Sequence, residues 1–387
     1  MLPRACRVRV AYHQVLGRCL QLAEPVLGGQ EILVERPVVE IGKSTLEGFQ
    51  SPQAAGHFRR AWAGLDLEQL RFVARLTSSP PVTSHPMSRE LSSEEERFRR
   101  VLEANALSYG DGEALFERVC LAEHACDPNV GYSSSHGLGT ARLYALRDLE
   151  AGDRLKLCYL PYPGSLRIWP HWRRQAALQQ QFGFACRCEF CEVSDPRRPS
   201  TSSLSLLREY EELDEAFEGA RFVELARRLL RRCEAAGEED DGRFHLFRAV
   251  DLMQVYHVNR FWQSAADGEA HLAPALRCLA RRYALLPLDE SPLLDVSSLA
   301  FVFTAASRVL AGTSRSTPEL TWLPALRRLW QRLGHLVQTS WGPRDAEYQG
   351  LCAVFGFPEE RLPAMADVVQ ELRVAQDAVA GLTSPRS

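Results

Sequence analysis

Phe182-Gly-Phe184-Ala-Cys186-Arg-Cys188-Glu-Phe-Cys191 is the stretch from which the fold of this chain can be read. Three thiols within six residues can wrap one tetrahedral Zn²⁺, but they leave a fourth position to be supplied from elsewhere. A structural site needs that position closed, because an open one binds water. Cys126, in Glu123-His124-Ala125-Cys126-Asp127-Pro128-Asn129, is the candidate, making Cys126, Cys186, Cys188 and Cys191 the expected ligands of one structural Zn²⁺. The plainer alternative is a group of packed, reduced thiols acting as small hydrophobes. Of the 11 cysteines none lies between Cys19 and Cys120, while Cys158 falls close to the triplet. In a long chain opening without a secretory pattern, such clustering argues for metal over a disulfide framework.

Outward from that stretch, composition narrows the classes. A length of 387 residues suggests two or three domains, and 45% hydrophobic with 25% charged residues permits packed cores. The net charge of −3 offers no global field for nucleic acid or anionic membrane. Arginines are spread over every segment, and acidic runs such as Glu211, Glu212, Asp214 and Glu215 balance them locally, so no direct nucleic-acid contact is expected. The longest apolar stretches, such as Leu299–Ala306, fall far short of a bilayer span. A soluble protein of cytoplasm, nucleus or both is expected, with no membrane partner.

Periodicity divides the chain. Three short strands are expected: Cys6–Ala11 alternates, Arg18–Ala23 follows a turn at Gly17, and Gln30–Glu35 follows Gly28-Gly29. From 56 to 76 the spacing of Phe58, Ala61, Trp62, Leu65, Leu70, Phe72 and Val73 is helical, and Thr77–Ser88 is loop-like. Ser92-Ser93-Glu94-Glu95-Glu96 supplies a helix start of capping-box type before Phe98, Val101 and Leu102. Thr140–Leu146 and Leu155–Tyr159 return to strand around a turn at 151–153, and 170–182 is helical again. Residues 194–203 have linker composition, and about seven or eight helices follow, separated at Gly237, Pro287, Pro292, Gly312, Gly342 and Pro358.

Three blocks then stand in register: His124-Ala-Cys126-Asp-Pro-Asn129; Ala145–Leu160, with Gly152-Asp153 and Cys158-Tyr159; and Phe182–Cys191. Together they resemble a SET domain, most of all that of the SMYD-type (SET and MYND) lysine methyltransferases. Gly17-Arg18-Cys19-Leu20, and the run from Gly28 to Pro37, are similar to the family's opening strands. The resemblance covers roughly residues 8–40 and 98–192.

It implies an α+β fold: a SET-type β core of small sheets with a helical insertion and a post-SET zinc segment, then an all-α domain of helical pairs. The expected divisions are 1–45 for the first part of the core, 46–107 for the insertion, 108–165 for the core with the catalytic strand, 166–193 for the zinc segment, 194–203 for the linker and 204–387 for the helical domain. The implied activity is transfer of a methyl group from S-adenosyl-L-methionine to lysine side chains of a protein substrate, histone or not. Tyr159 matches the family's catalytic tyrosine, and a nearby sulfonium would lower its pKa. Gly17, Arg18, Asn105, Glu123, His124 and Phe184 match cofactor-binding positions, and Phe182 matches the lysine channel. The alternative is a catalytically silent SET scaffold that binds partner proteins through its helical domain.

Three departures bear on that choice. No cysteine occurs between residues 40 and 90, where a MYND zinc module would interrupt the core. The family's glycine-x-glycine loop is Gly17-Arg18-Cys19, which puts a side chain where backbone is expected close to the ligand. Its Asn-His is Glu123-His124, exchanging an amide for a charged group that only accepts hydrogen bonds.

Overall fold

A computed structural model of the chain describes residues 7–14, 17–42, 54–76, 92–110, 112–135, 139–160, 168–194, 200–217, 219, 221–236, 241–263, 268–286, 291–312 and 320–383. The Thr77–Ser88 loop, the breaks at Gly237 and Pro287, and residues 195–199 of the linker lie outside them. Two compact units divide the chain: Met1–Leu160 with Gln175–Glu192, and Pro161–Arg174 with Val193–Ser387.

The first unit opens with β1 (Val8–His13), β2 (Gly17–Leu22), β3 (Glu31–Glu35) and β4 (Val39–Ile41). Helices α1 (Ala54–Ala63), α2 (Leu67–Ala74) and α3 (Ser93–Asn105) follow. Then come β5 (Leu107–Tyr109), β6 (Gly112–Leu115), β7 (Glu123–His124), β8 (Val130–Ser135), β9 (Thr140–Ala145) and β10 (Lys156–Leu157). Residues of α4 (His171–Phe182) and α5 (Glu189–Val193) complete it.

These strands form four small sheets: β1-β2, β3-β9-β8, β4-β6-β5, and the parallel pair β10-β7. β1 and β2 turn back on each other with His13 opposite Gly17, whose φ of +75° is a conformation that favours glycine. β9 is central and apolar on both faces, and its one charged residue, Arg142, is buried on Glu31 at 2.8 Å. Leu20, Leu22, Leu143, Leu155 and Leu157 share one core under the sheets.

The helical stretch folds as its pattern requires. Ser92 Oγ accepts from the Glu95 N–H at 3.2 Å, and the Glu95 carboxylate accepts from the Ser92 N–H at 2.7 Å. Glu94, Glu95 and Glu96 add negative charge where the helix dipole favours it. Phe98, Val101 and Leu102 of α3 then bury against Phe72, Val73 and Leu76, over Val39, Ile41 and Leu115.

The second unit is helical after Ser194. It comprises α6 (Thr201–Glu215), α7 (Phe222–Ala236), α8 (Gly242–Gln263), α9 (Gly268–Leu285), α10 (Val296–Gly312), α11 (Leu323–Trp341), α12 (Ala346–Phe355) and α13 (Met365–Thr383). α6 starts inside the stretch of linker composition, because Ser200 Oγ accepts from the Ser203 N–H at 2.9 Å and caps it. α7 buries Phe222, Leu225, Ala226, Leu229 and Cys233, one stripe at helical spacing. α9 carries Pro274 within its span and packs on both α8 and α13. The whole is α+β, and no described helix is long and apolar enough to cross a membrane.

Two histidines of α8 are kept neutral. Burial, then Arg173 and Arg248, push His245 down to about 4; burial, then His271, Arg277 and Arg227, push His257 down to about 4. Depressed pKa values mean that their contribution to stability is complete above the ordinary value near 6.5 and is lost as pH falls through about 4. The thermal midpoint should therefore drop between pH 6.5 and 4, and drop less in His245→Asn; a drop of equal size in both proteins would remove this cause.

Candidate active site and metal centre

The four cysteines expected as ligands converge. Cys126 leaves β7, whereas Cys186, Cys188 and Cys191 lie on the turn into α5 and on α5 itself. Their Sγ atoms all lie within 4.8 Å of one another, with Cys191 Sγ and Cys126 Sγ 3.5 Å apart. An S–S bond is about 2.05 Å, so this is not a disulfide. Four thiolates around Zn²⁺ with Zn–S of about 2.3 Å put neighbouring sulfurs about 3.8 Å apart, which this donor set fits.

Hydrogen bonds from its three neighbours, Cys126 first, push the Cys188 thiol down; its bond to Cys186 leads those that push Cys126 up. Gln175 of α4 clamps the turn, its Oε1 accepting from the Cys186 N–H at 2.9 Å and its Nε2 donating to the Cys186 carbonyl at 3.0 Å. Cys158 stands apart, its Sγ 3.2 Å from the Leu160 carbonyl.

β7 and β10 bring the remaining residues to this centre. Glu123 stands opposite Lys156 and His124 opposite Leu157. Asn129, buried beside them, stands in for a third strand: its Oδ1 accepts from the Lys156 N–H at 2.7 Å and its Nδ2 donates to the Arg154 carbonyl at 2.9 Å. That side-chain pairing limits the regular strand to Lys156–Leu157, shorter than the 155–159 alternation suggests.

His124 Nδ1 accepts from the Tyr159 N–H at 3.1 Å, and its Nε2 lies 3.4 Å from Cys126 Sγ. One imidazole thus joins the tyrosine backbone to the sulfur cluster. The Tyr159 hydroxyl donates to the Ala122 carbonyl at 2.6 Å. Burial, then the Cys120 thiol and the Glu123 carboxylate, push that phenol up, so the protein by itself holds it neutral, opposite to the direction a sulfonium would impose. Tyr159 packs between His124 and Phe182, with ring centroids at 5.2 and 5.4 Å, and Phe184 lies 5.9 Å from His124.

Gly17, Arg18, Asn105, Glu123, His124, Tyr159 and Phe184 line one cavity of about 1,090 Å³, a volume sufficient for a nucleoside-sized ligand. Phe182 packs on Tyr159 behind this wall. Asn105 turns its Nδ2 back to the Val101 carbonyl at 2.8 Å. Cys19 is buried and is not among the lining residues, so its side chain does not fill the space that a second glycine would leave. Glu123 is ion-paired with Arg154 at 3.0 Å.

Sequence patterns left several positioning residues unseen. Arg154 and the ion pair Lys156–Glu189, at 3.0 Å, line the same cavity. Buried Glu35 accepts from the Arg118 N–H at 3.1 Å and the Val119 N–H at 2.9 Å, holding the segment that leads into the cavity wall at Cys120–Ala122. Asn129, Arg154, Lys156, Glu189 and Glu35 all fall within the stretches that carry the resemblance, but nothing in those stretches marks their roles.

Removal of one sulfur tests the metal centre. Cys126→Ser should lower bound zinc, read by elemental analysis of the purified protein, from one equivalent to a small fraction, with earlier proteolysis within 182–191. Full zinc occupancy in that variant would refute the ligand set.

No protein-family model matches the chain. Histone-lysine N-methyltransferase set5 of Schizosaccharomyces pombe is 27% identical over 147 residues, covering 34% of this chain and 44% of its own. Histone-lysine N-methyltransferase ATXR4 of Arabidopsis thaliana is 36% identical over 84 residues, 22% of this chain and 24% of its own. Histone-lysine N-methyltransferase SMYD3 of Homo sapiens is 33% identical over 86 residues, 22% of this chain and 18% of its own. The chain therefore matches less than half the length of each of these curated relatives. Over these partial stretches the chain is similar to SET-domain lysine methyltransferases, SMYD3 among them, and it has no cysteine between Cys19 and Cys120 that could serve a MYND module.

Proposed function

We propose that the protein is an S-adenosylmethionine-dependent protein-lysine methyltransferase whose active site is the cavity ending at Tyr159. The observation that carries this reading is the convergence on one wall of Gly17, Arg18, Asn105, Glu123, His124, Tyr159 and Phe184, drawn from distant parts of the sequence. The names of the matched relatives agree with it. Zn²⁺ on Cys126, Cys186, Cys188 and Cys191 would be structural, since four protein sulfurs leave no open position for catalysis.

Residues of the wall fit the donor. Phe184 and His124 offer aromatic surface to a purine, while Asn105, Arg18 and Glu123 offer polar groups to the ribose and amino-acid portions. When bound, S-adenosylmethionine supplies an electrophilic methyl group on a sulfonium.

The chain's own part is to deliver a neutral amine in line and without water. Tyr159 and Phe182 form an aromatic surface whose low polarity disfavours a charged lysine. The Ala122 carbonyl fixes the Tyr159 hydroxyl hydrogen, which leaves the phenolic oxygen free to accept an N–H of the incoming amine. His124 holds the Tyr159 backbone, so the hydroxyl is placed by a hydrogen-bonded element and not by rotamer preference alone. Tyr159 thus serves as an orienting catalytic residue with a neutral phenol.

Two of the three departures that favoured a silent scaffold weigh less against this background. Cys19 lies outside the cavity lining, and the Glu123 charge is balanced by Arg154. Protein substrates in the nucleus or cytoplasm go with the methyltransferase reading, and helices α6–α13 remain available for partner proteins.

Labelled S-adenosylmethionine with histones and a cell lysate, followed by mass spectrometry of the labelled lysines, tests the activity. Tyr159→Phe should lower turnover by about 100-fold or more while zinc content and donor binding stay unchanged. Undiminished turnover in that variant would remove the catalytic role.

A further inference from the structure

Glu123 and Arg154 both line the cavity, with side chains 13% and 31% exposed. Arg154 uses only Nη1 on its partner, donating to both carboxylate oxygens at 3.1 and 3.0 Å. Its Nε and Nη2 make no hydrogen bond to any described residue, which leaves three N–H donors in the planar fork that suits a carboxylate. Glu123 also accepts from the buried Cys19 thiol, and a carboxylate's four lone-pair sites leave one beyond these three contacts. The backbone beneath is rigid, because Asn129 holds the Arg154 carbonyl and Glu123 is in the β7–β10 pair. The pair is therefore a fixed dipole presenting one positive and one negative group to the same space.

An α-amino acid end carries an ammonium and a carboxylate on adjacent atoms. Placed head to tail against Glu123–Arg154, its ammonium meets the glutamate and its carboxylate meets the open edge of the guanidinium. Neither half of the pair would suffice alone, since an unpaired Glu123 would repel the carboxylate and an unpaired Arg154 would repel the ammonium.

We propose that the Glu123–Arg154 ion pair is the recognition element for the α-amino-carboxylate end of the methyl donor, with Arg154 a binding residue beyond those that the sequence resemblance assigns. This rests on the methyltransferase reading. The charge of Glu123 arrives together with its counter-charge on Arg154, in the segment that leads into β10.

Calorimetry on the full chain separates the possibilities, using S-adenosylhomocysteine, which has the amino-acid end, and methylthioadenosine, which lacks it. Wild-type protein should bind the first more tightly. Arg154→Gln should weaken S-adenosylhomocysteine by about ten- to a hundredfold and leave methylthioadenosine unchanged, with Arg154→Lys in between. Unchanged zinc content in these variants guards against misfolding. Equal weakening of both ligands, or no weakening of either, would overturn the role of Arg154 while leaving the methyltransferase reading intact. Failure of wild-type protein to bind either ligand would overturn both.

Discussion

Four sulfurs from two distant segments must meet, and the geometry of the site follows from that meeting. Cys126 follows two residues after the strand that carries His124, while Cys186, Cys188 and Cys191 belong to the segment that carries Phe182 and Phe184. Thiols held within 4.8 Å of one another and largely removed from water have little reason to cluster without an ion, because burial and mutual repulsion both oppose several thiolates. A bound Zn²⁺ reverses that balance and turns metal affinity into folding free energy. His124 extends the constraint inward, with one ring nitrogen on the Tyr159 backbone and the other beside Cys126 Sγ.

The cavity combines two electrostatic regimes. Around Tyr159 it is aromatic, the phenol neutral and its hydrogen committed to a carbonyl. Around Glu123 it is charged but balanced, through Arg154, with Lys156–Glu189 repeating the device at the rim. A site of this kind can admit a charged ligand at one end and strip water from an amine at the other, because opposite charges cancel locally without an isolated buried ion.

Much of the fold was legible because it rests on local pattern. The capping box at Ser92–Glu95, the stripe of α7 and the alternation of β1 each need only neighbours in sequence. Less was legible where tertiary partners did the shaping. β4, β5 and β6 are three- and four-residue strands whose apolar residues satisfy no alternation long enough to detect. α6 begins within residues of linker composition because a serine cap outweighs composition. Pro274 sits inside α9, where local rules place a break.

The sequence by itself determined the chemistry available: three cysteines at metal-binding spacing, a fourth at Cys126 with a histidine two residues before it, and a tyrosine directly after Cys158. Residue identity and spacing suffice for these because soft ligands and their chelate loops are local properties. Tertiary structure alone decided how the charges are used. Glu123 and Arg154 are far apart in the chain, and only the parallel pairing of β7 with β10, clamped by Asn129, makes them neighbours. The same packing buries Cys19 against Glu123 and buries Glu35 on the Arg118 and Val119 N–H groups, and burial and pairing depend on what lies opposite, which no stretch of sequence states.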